Sequence, residues 1–269
     1  MVTFPENKHG LTGPLKCIGS TGIFFQVRPG VVLKAPVKIL QDQVVRERPS
    51  VAHDYSVERR ILEWLGEHPR IVRYLGWLDD FPTGLLLEEA SNGSLQDYLD
   101  HNEKETIPMD IRKKWFQQTI ESISYIHSRG VIHGDLRPEN FLLTSSLDIR
   151  LCDFGKSNCE ELQITTGGLP DSGFSNPKFP WDMDVQTDIF ALGSVLYTIL
   201  KGHWPYRAPG GRFDSLEEME KYESYVDNQF KQDIFPAVDD LFGGKVILGC
   251  WQRKYANVNE ILQDVESES

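Results

Sequence analysis

Short apolar runs separated by turn residues occupy the first part of the chain. They cover residues 15–18 (LKCI), 23–27 (IFFQV) and 31–34 (VVLK), with glycine-rich or Pro-Gly segments between them. Glycine and proline mark turns, and apolar runs of this length bounded by turns are typical of strands. Two similar runs cover residues 71–75 and 84–87. We therefore predict a small sheet built from these five segments.

The pattern changes to helical spacing between the third and the fourth run. Tyr55, Ile61, Leu62 and Leu65 recur at this spacing together with Glu58, and a glycine follows them. The pattern predicts one helix that ends at this glycine. After the last strand, residues 88–93 (EEASNG) have the composition of a hinge.

From residue 94 onward the pattern is mostly helical. A long amphipathic helix is predicted from Ile111 to Ile126, and a buried helix is predicted from Asp188. The apolar run of the second helix, residues 189–200, is too short to span a bilayer. The second half of the connection between the two helices, directly before Asp188, is a loop of about 30 residues, a length that in compact domains is usually functional.

This order of elements predicts an α+β fold with two lobes. The strand-rich lobe covers about residues 12–88, the hinge about 88–93 and the helical lobe about 94–265. We expect a single domain over residues 1–269, with a cleft between the lobes.

Composition narrows the function classes. The net charge of −12 argues against binding to nucleic acid or to an anionic membrane, because neither rewards an acidic surface. The chain has four cysteines without a Cys-x-x-Cys pair, and no apolar signal run near its N-terminus. Reduced thiols in the cytoplasm are therefore expected, with the nucleus as an alternative.

The strongest chemical signal is residues 133–140 (HGDLRPEN), followed after a predicted hairpin by Asp153-Phe154-Gly155. Asp135, Asn140 and Asp153 place two carboxylates and an amide in tight loops, and hard oxygen ligands of this kind suit Mg²⁺. The arrangement resembles the catalytic loop and the metal-binding aspartate motif of eukaryotic-type protein kinases. The resemblance implies ATP and Mg²⁺ as cofactors, Asp135 as catalytic base, and Asn140 and Asp153 as metal ligands.

The same resemblance, which covers about residues 12–265, assigns further roles. Lys34 would hold the α- and β-phosphates, Glu58 would pair with Lys34, and Arg137 would steady the γ-phosphoryl group. Leu87 falls at the gatekeeper position, and residues 88–90 would offer backbone groups to adenine. Together with Lys34 and Glu58, the positions expected to form the nucleotide site are Gly22, Val32, Leu87, Glu88 and Ala90.

Several positions depart from the family pattern. The three glycines of the phosphate loop fall at Ser20, Gly22 and Phe25, so that only the middle one is present. Gly134 replaces an arginine that elsewhere pairs with a phosphorylated loop residue. We therefore expect activity that does not depend on activation-loop phosphorylation.

The end of the activation segment also differs. Lys178 replaces a glutamate that normally meets an arginine, and Asp171 replaces the threonine of the substrate loop. These changes leave the substrate open.

Three functions remain in view. The first is a serine/threonine-type protein kinase, favoured by Pro138-Glu139-Asn140. The second is a pseudokinase scaffold with weak or no catalysis, favoured by the altered glycine loop and Lys178. The third is a kinase of a small molecule or a specialised peptide. The expected partners are ATP and an unidentified protein or small hydroxyl compound, without nucleic acid or membrane.

Overall fold

The computed structural model describes residues 12–18, 22–36, 38–41, 44–47, 49–79, 82–102, 106–168, 170–179, 183–208 and 213–268. The predicted glycine-loop positions Gly19 and Ser20 lie outside these residues. The strands are β1 Thr12–Ile18, β2 Gly22–Arg28, β3 Val31–Pro36, β4 Lys38–Gln41, β5 Val44–Glu47, β6 Tyr74–Leu78, β7 Gly84–Glu88, β8 Val131–Ile132, β9 Phe141–Leu143, β10 Ile149–Leu151 and β11 Asn158–Cys159. The helices are α1 Pro49–Leu65, α2 Leu95–His101, α3 Met109–Ser128, α4 Val185–Lys201, α5 Leu216–Lys231, α6 Gly244–Trp251 and α7 Val258–Glu268.

The N-terminal lobe is an antiparallel sheet in the order β1-β2-β3-β7-β6, with α1 beside it. The central strand β3 is buried at every position. Side chains alternate between the two faces of a strand, so Val32 and Lys34 share one face and Leu33 takes the other. Val32 and Leu87 are paired in register and belong to the main core, whereas Leu33 packs in a separate outer cluster.

The strand predicted at residues 71–75 begins three residues later, at Tyr74. The reason is that the preceding backbone is already paired with the other lobe. The Val72 N–H donates to the Leu151 carbonyl (2.9 Å), and the Leu151 N–H donates to the Arg70 carbonyl (2.8 Å). The start of the predicted strand therefore connects the sheet to β10. The hairpin β4–β5 was not predicted at all.

The C-terminal lobe is helical and is centred on α4, the helix expected from Asp188. It begins at Val185 because Asp184 and Thr187 form a capping box. Every residue from position 188 to 200 of this helix is buried. Across the residues that the structure describes, no helix is long and apolar enough to cross a bilayer. A small β-sheet lobe and a helical lobe form the predicted α+β architecture.

Candidate active site

Three elements bring one lysine and two carboxylates together. Lys34 projects from β3, Glu58 from α1, and Asp153 follows β10. The Lys34 Nζ lies 2.7 Å from Glu58 Oε2 and 2.7 Å from Asp153 Oδ1. Lys34 is 5% exposed and Glu58 is 1% exposed. Burial opposes the charge on Lys34, but the carboxylates of Asp153 and Glu58 outweigh it and raise the pKa of the ammonium.

Asp153 holds an unusual backbone conformation. Its φ of 64° lies in the left-handed region, and a 3₁₀ turn at Phe154–Lys156 follows directly. Left-handed conformations cost free energy for residues other than glycine and persist where the surrounding structure enforces them. Phe154 is fully buried, and its ring centroid lies 5.0 Å from that of His133. This packing holds the Asp153 carboxylate in position.

The buried carboxylate of Asp188 holds the backbone of the catalytic loop by hydrogen bonds. Its Oδ2 accepts hydrogen bonds from the His133 N–H (2.8 Å) and from His127 (2.8 Å), and its Oδ1 accepts one from the Gly134 N–H (2.9 Å). Burial opposes the charge on Asp188, but the hydrogen bond from His127 and the charges nearby hold its pKa below the usual value. Asp188 therefore anchors the backbone of the loop that carries Asp135.

His133 connects the backbone segments on either side of the site. Its Nδ1 accepts from the Asp135 N–H (3.3 Å), so Nε2 carries the proton and donates to the Cys152 carbonyl (3.0 Å). Burial lowers the pKa of His133, which keeps the ring neutral. Burial also raises the pKa of the Cys152 thiol, in agreement with an unreactive cysteine.

Asp135 and Asn140 lie next to each other. The Asn140 Nδ2 donates to the Asp135 carbonyl (2.7 Å) and lies 3.4 Å from Asp135 Oδ2. Burial raises the pKa of Asp135 to about 7, although Arg137 acts in the opposite direction. Within the described part of the chain, neither Asn140 Oδ1 nor Asp153 Oδ2 accepts a hydrogen bond. Two hard oxygen atoms are thus uncommitted, as an Mg²⁺ site requires.

The hinge leaves the backbone N–H of Ala90 available to a ligand. The Glu88 N–H donates to the Arg73 carbonyl and the Glu89 N–H donates to the Gly30 carbonyl, both at 3.0 Å. The Ala90 N–H has no hydrogen-bond acceptor among the residues that the structure describes. Of the predicted backbone donors at residues 88–90, Ala90 is the one left for a ligand, at the end of the strand that carries Leu87.

Tyr55 lies close to the site, whereas the sequence predicted only that it belongs to a helix. It is buried on α1, and the Lys34 Nζ lies 5.6 Å from the centroid of its ring. A Cβ added at Gly22 would lie 2.4 Å from the Tyr55 hydroxyl. Gly22 is therefore required by the close approach of this tyrosine. The spacing of three residues between Tyr55 and Glu58 was the available signal, because such residues share a helix face.

Arg137 is held by two carboxylates. Its Nη1 donates to Asp171 Oδ2, and its Nε lies 3.5 Å from Glu139 Oε2. The sequence placed Arg137 in the site but did not predict the contact with Asp171.

The activation segment is the loop that follows Asp153-Phe154-Gly155. Unphosphorylated side chains connect it to α1 and connect its own residues to one another. The Lys156 Nζ lies 2.8 Å from Asp54 Oδ2, and the Arg60 Nη2 donates to the Leu162 carbonyl (2.7 Å). The Thr166 hydroxyl donates to the Lys156 carbonyl (2.6 Å).

The end of this segment has its own pairing. The Lys178 Nζ lies 2.5 Å from Asp233 Oδ2, and the Arg253 guanidinium lies 4.2 Å from the centroid of the Phe179 ring. The ion pair of the family pattern is thus replaced by a lysine–aspartate pair and a cation–π contact.

Comparison with known proteins agrees with this geometry. Residues 19–256 match the protein kinase domain family. A probable serine/threonine-protein kinase, MARK-C, of Dictyostelium discoideum is 35% identical over 152 residues, which are 52% of this chain and 19% of that protein. In Saccharomyces cerevisiae, the serine/threonine-protein kinase GIN4 is 29% identical over 239 residues (80% and 21%). The probable serine/threonine-protein kinase KCC4 of the same yeast is 28% identical over 249 residues (82% and 22%).

The chain spans about a fifth of the length of these three relatives. The family match covers most of the chain and includes every site residue described above. The chain therefore belongs to the eukaryotic-type protein kinase superfamily.

Proposed function

We propose that this domain transfers the γ-phosphoryl group of ATP–Mg²⁺ to a serine or threonine hydroxyl of a protein. The observation that carries the proposal is the contact of Lys34 with both Glu58 and Asp153, at 2.7 Å each. A strand, a helix and a loop after a hairpin converge to form it, next to Asp135 and Asn140. Phosphoryl transfer depends mainly on positioning and charge neutralisation, which such a set supplies.

Each residue of the site has a distinct task. Bound ATP–Mg²⁺ would supply the phosphoryl group and the divalent charge that neutralises its oxygens. Lys34, ordered by Glu58, binds phosphate, and Asn140 and Asp153 hold the metal through their uncommitted oxygens. Asp135 orients the acceptor hydroxyl and takes its proton.

The nucleotide base fits the other end of the cleft. The Ala90 N–H is available to an acceptor on adenine, and the apolar side chains of Val32 and Leu87 lie side by side on β3 and β7. These residues and Glu88 therefore form our proposed adenine contacts. Gly22 contributes space beside Lys34.

The acceptor class rests on two observations. Pro138-Glu139-Asn140 has the serine/threonine pattern, and the relatives named above are described as serine/threonine kinases. The pseudokinase alternative is opposed by the intact Lys34–Glu58 pair. Because Asp171 and Lys178 depart from the family pattern near the substrate loop, a small molecule and a specialised peptide are alternative acceptors.

The first prediction tests transfer itself. Incubated with labelled ATP, Mg²⁺ and a generic basic protein, the wild type should transfer phosphate, and Asp135→Asn should reduce the rate by about 10²–10⁴-fold. The variant should keep its unfolding midpoint and its thermal shift with ATP–Mg²⁺. No transfer by the wild type would favour a scaffold, and transfer only to a small hydroxyl compound would favour the third function.

We also propose that activity does not depend on phosphorylation of the activation segment. The ion pair of Lys156 with Asp54 and the hydrogen bond from Arg60 to the Leu162 carbonyl order the segment without phosphate. In addition, the space beside Gly134 is filled by Met183.

The second prediction tests this independence. Protein shown by mass spectrometry to be unphosphorylated should be fully active, and Thr165→Ala should not change its rate. Thr166→Ala should lower the rate by no more than about 30-fold, since its hydroxyl donates to the Lys156 carbonyl and accepts from the Gly168 N–H, and each hydrogen bond contributes about 1 kcal/mol. A loss as deep as that of Asp135→Asn in either variant would contradict the proposal.

The cellular location that we propose is the cytoplasm. Cys152, Cys159 and Cys250 are free thiols, which supports a reducing compartment.

A further inference from the structure

Gln26 places a polar side chain on the cleft face of β2. It pairs in register with Val32 of β3, and Val32 pairs in register with Leu87 of β7. Residues paired in register share a face of the sheet, and successive residues of a strand alternate between the faces. Phe25 and Val27, on either side of Gln26, pack in the outer cluster. Gln26, Val32 and Leu87 therefore form one row on the face that covers the proposed base site.

The carboxamide of Gln26 is held by the hinge. Its Nε2 donates to Glu89 Oε2 at 2.7 Å, and the same oxygen accepts from the Gly30 N–H at 3.0 Å. The Glu89 N–H donates in turn to the Gly30 carbonyl at 3.0 Å, so the backbone and the side chain of Glu89 are both fixed on the β2–β3 turn. Glu89 directly precedes Ala90, the residue whose N–H is available to the base. The carboxamide is therefore fixed at the base end of the cleft.

The contact with Glu89 also sets the direction of the carboxamide. An ionised carboxylate only accepts hydrogen bonds, so the amide turns its Nε2 toward Glu89. Because Oε1 is the other branch of the planar amide, it points away from this carboxylate. Among the residues that the structure describes, no group donates to Gln26 Oε1. The partly buried side chain thus presents an oriented acceptor at the surface of the cleft.

A polar side chain in this row has a chemical consequence. Val32 and Leu87 can only pack on the flat apolar face of a base, whereas the Gln26 oxygen can accept a hydrogen bond. A nucleotide carries two kinds of donor at this end, the exocyclic amino group of the base and the hydroxyls of the ribose. An acceptor that is covered by a ligand without its donor costs affinity, so such a site rejects nucleotides that lack the donor.

We propose that Gln26 is a specificity-determining residue of the nucleotide site, whose Oε1 accepts a hydrogen bond from a donor group of the nucleotide, and that Glu89 is the positioning residue that orients it. The inference rests on the nucleotide site of the proposed kinase activity. It adds the side chains of two residues that no sequence motif had indicated.

The test measures binding of ADP–Mg²⁺ to the full chain by calorimetry. Gln26→Leu removes the amide and should raise the Kd about 5–10-fold, the effect of one lost hydrogen bond. Glu89→Ala should raise the Kd about 2–5-fold, because the carboxamide then has to be ordered on binding. Glu89→Gln should stay near the wild type, since its side-chain oxygen can still accept from Gln26. The matched control is Glu67→Gln, which alters an exposed carboxylate of the same lobe that bonds to Arg73 and should leave the Kd unchanged.

Analogues of the ligand identify the donor. 2′-Deoxy-ADP and 3′-deoxy-ADP each lack one ribose hydroxyl, and the diphosphate of purine riboside lacks the amino group of the base. One of these analogues should bind the wild type several-fold more weakly than ADP, and this difference should disappear in Gln26→Leu. A difference with a deoxy analogue assigns the donor to the ribose, and a difference with the purine riboside assigns it to the base. Gln26→Met supplies the same comparison if Gln26→Leu does not fold.

Several outcomes would overturn the inference. An unchanged Kd in Gln26→Leu contradicts the role of Gln26, and so do analogue differences that are equal in the wild type and in this variant. A Kd of Glu89→Ala equal to that of the wild type contradicts the positioning role of Glu89. A Kd of Glu89→Gln as high as that of Glu89→Ala contradicts it as well.

The two proposals fail in different ways. Wild-type protein that binds ADP–Mg²⁺ but transfers no phosphate contradicts only the kinase activity. Transfer by the wild type together with an unaffected Gln26→Leu contradicts only the role of Gln26. Wild-type protein that binds no nucleotide contradicts both before any variant is measured.

Discussion

Gly134 occupies a tightly packed position in the catalytic loop. Its φ is 75°, and a Cβ placed there would lie 1.8 Å from the Met183 Cε and 3.1 Å from the Lys156 carbonyl oxygen. An arginine at this position would have to displace the methionine and adopt a strained backbone. The sequence showed that the arginine is absent, and the fold shows that its place has been filled.

The third prediction concerns this position. Gly134→Arg should lower the free energy of unfolding by about 2–3 kcal/mol, from strain at positive φ together with overpacking. Gly167 is the matched control, since its φ is 69° and no atom lies within 4 Å of an added Cβ. Gly167→Arg should cost only about 1 kcal/mol.

Adding Met183→Ala to Gly134→Arg should recover about 1 kcal/mol of the loss in urea unfolding. Equal costs at Gly134 and Gly167, without any recovery, would show that Met183 does not restrict the site.

At the scale of elements, the hairpin β9–β10 is attached to α3 through Asp148. Its carboxylate accepts hydrogen bonds from Ser146 and from Gln118 Nε2 (2.8 Å), and the Lys114 Nζ lies 2.9 Å away. The hydrogen bonds from Ser146 and Gln118 and the contact with Lys114 hold the pKa of Asp148 well below its usual value, against the effect of burial. Asn140 directly precedes this hairpin and Asp153 follows it, so its attachment positions the two residues that we propose as metal ligands.

The fourth prediction follows from the sign of this shift. A carboxyl whose pKa is depressed by folding contributes its full stability above its unfolded pKa of about 3.9, and this contribution is lost as the pH falls through that value toward the lower folded pKa. Asp148→Asn should therefore cost about 1 kcal/mol at pH 7, discounted because the side chain is 31% exposed, and less at pH 3. Urea unfolding at both pH values measures the difference, with the exposed Asp110→Asn as control. A cost that does not depend on pH would contradict the prediction.

The sequence predicted the bounds and the pairing of strands least reliably. The apolar pattern at Ile71 and Val72 is real, but the Arg70 carbonyl and the Val72 N–H on either side of Ile71 bond to Leu151 of β10 instead of to β7, so the strand starts at Tyr74. An apolar run does not specify its hydrogen-bond partner, because every backbone carries the same donors and acceptors. The helices were better predicted, since their hydrogen bonds are local.

For the whole molecule, the cleft contacts join the two lobes. Lys34 and Glu58 belong to the sheet lobe, whereas Asp153 follows a strand of the helical lobe. A ligand that contacts both lobes at the same time stabilises the folded state in which these three residues lie together.

The fifth prediction concerns this stabilisation. At about 100 times its dissociation constant, ATP–Mg²⁺ should raise the free energy of unfolding by about 2.7 kcal/mol. For a domain of this size the midpoint should rise on the order of 5–10 °C. Removing Mg²⁺ with EDTA should reduce the shift, because Asn140 and Asp153 would have no metal to hold. A shift that EDTA leaves unchanged would argue against the metal site.

The sequence by itself predicted the two-lobed fold, because apolar periodicity is a local property. Its resemblance to the kinase motifs at residues 133–140 and 153–155 supplied the proposed site residues Asp135, Asn140 and Asp153. Tertiary structure alone decided three contacts around the site: Asp171 with Arg137, Asp54 with Lys156, and Met183 beside Gly134. The first two pairs join residues 34 and 102 positions apart, and such contacts depend on how the elements pack, which no local pattern encodes.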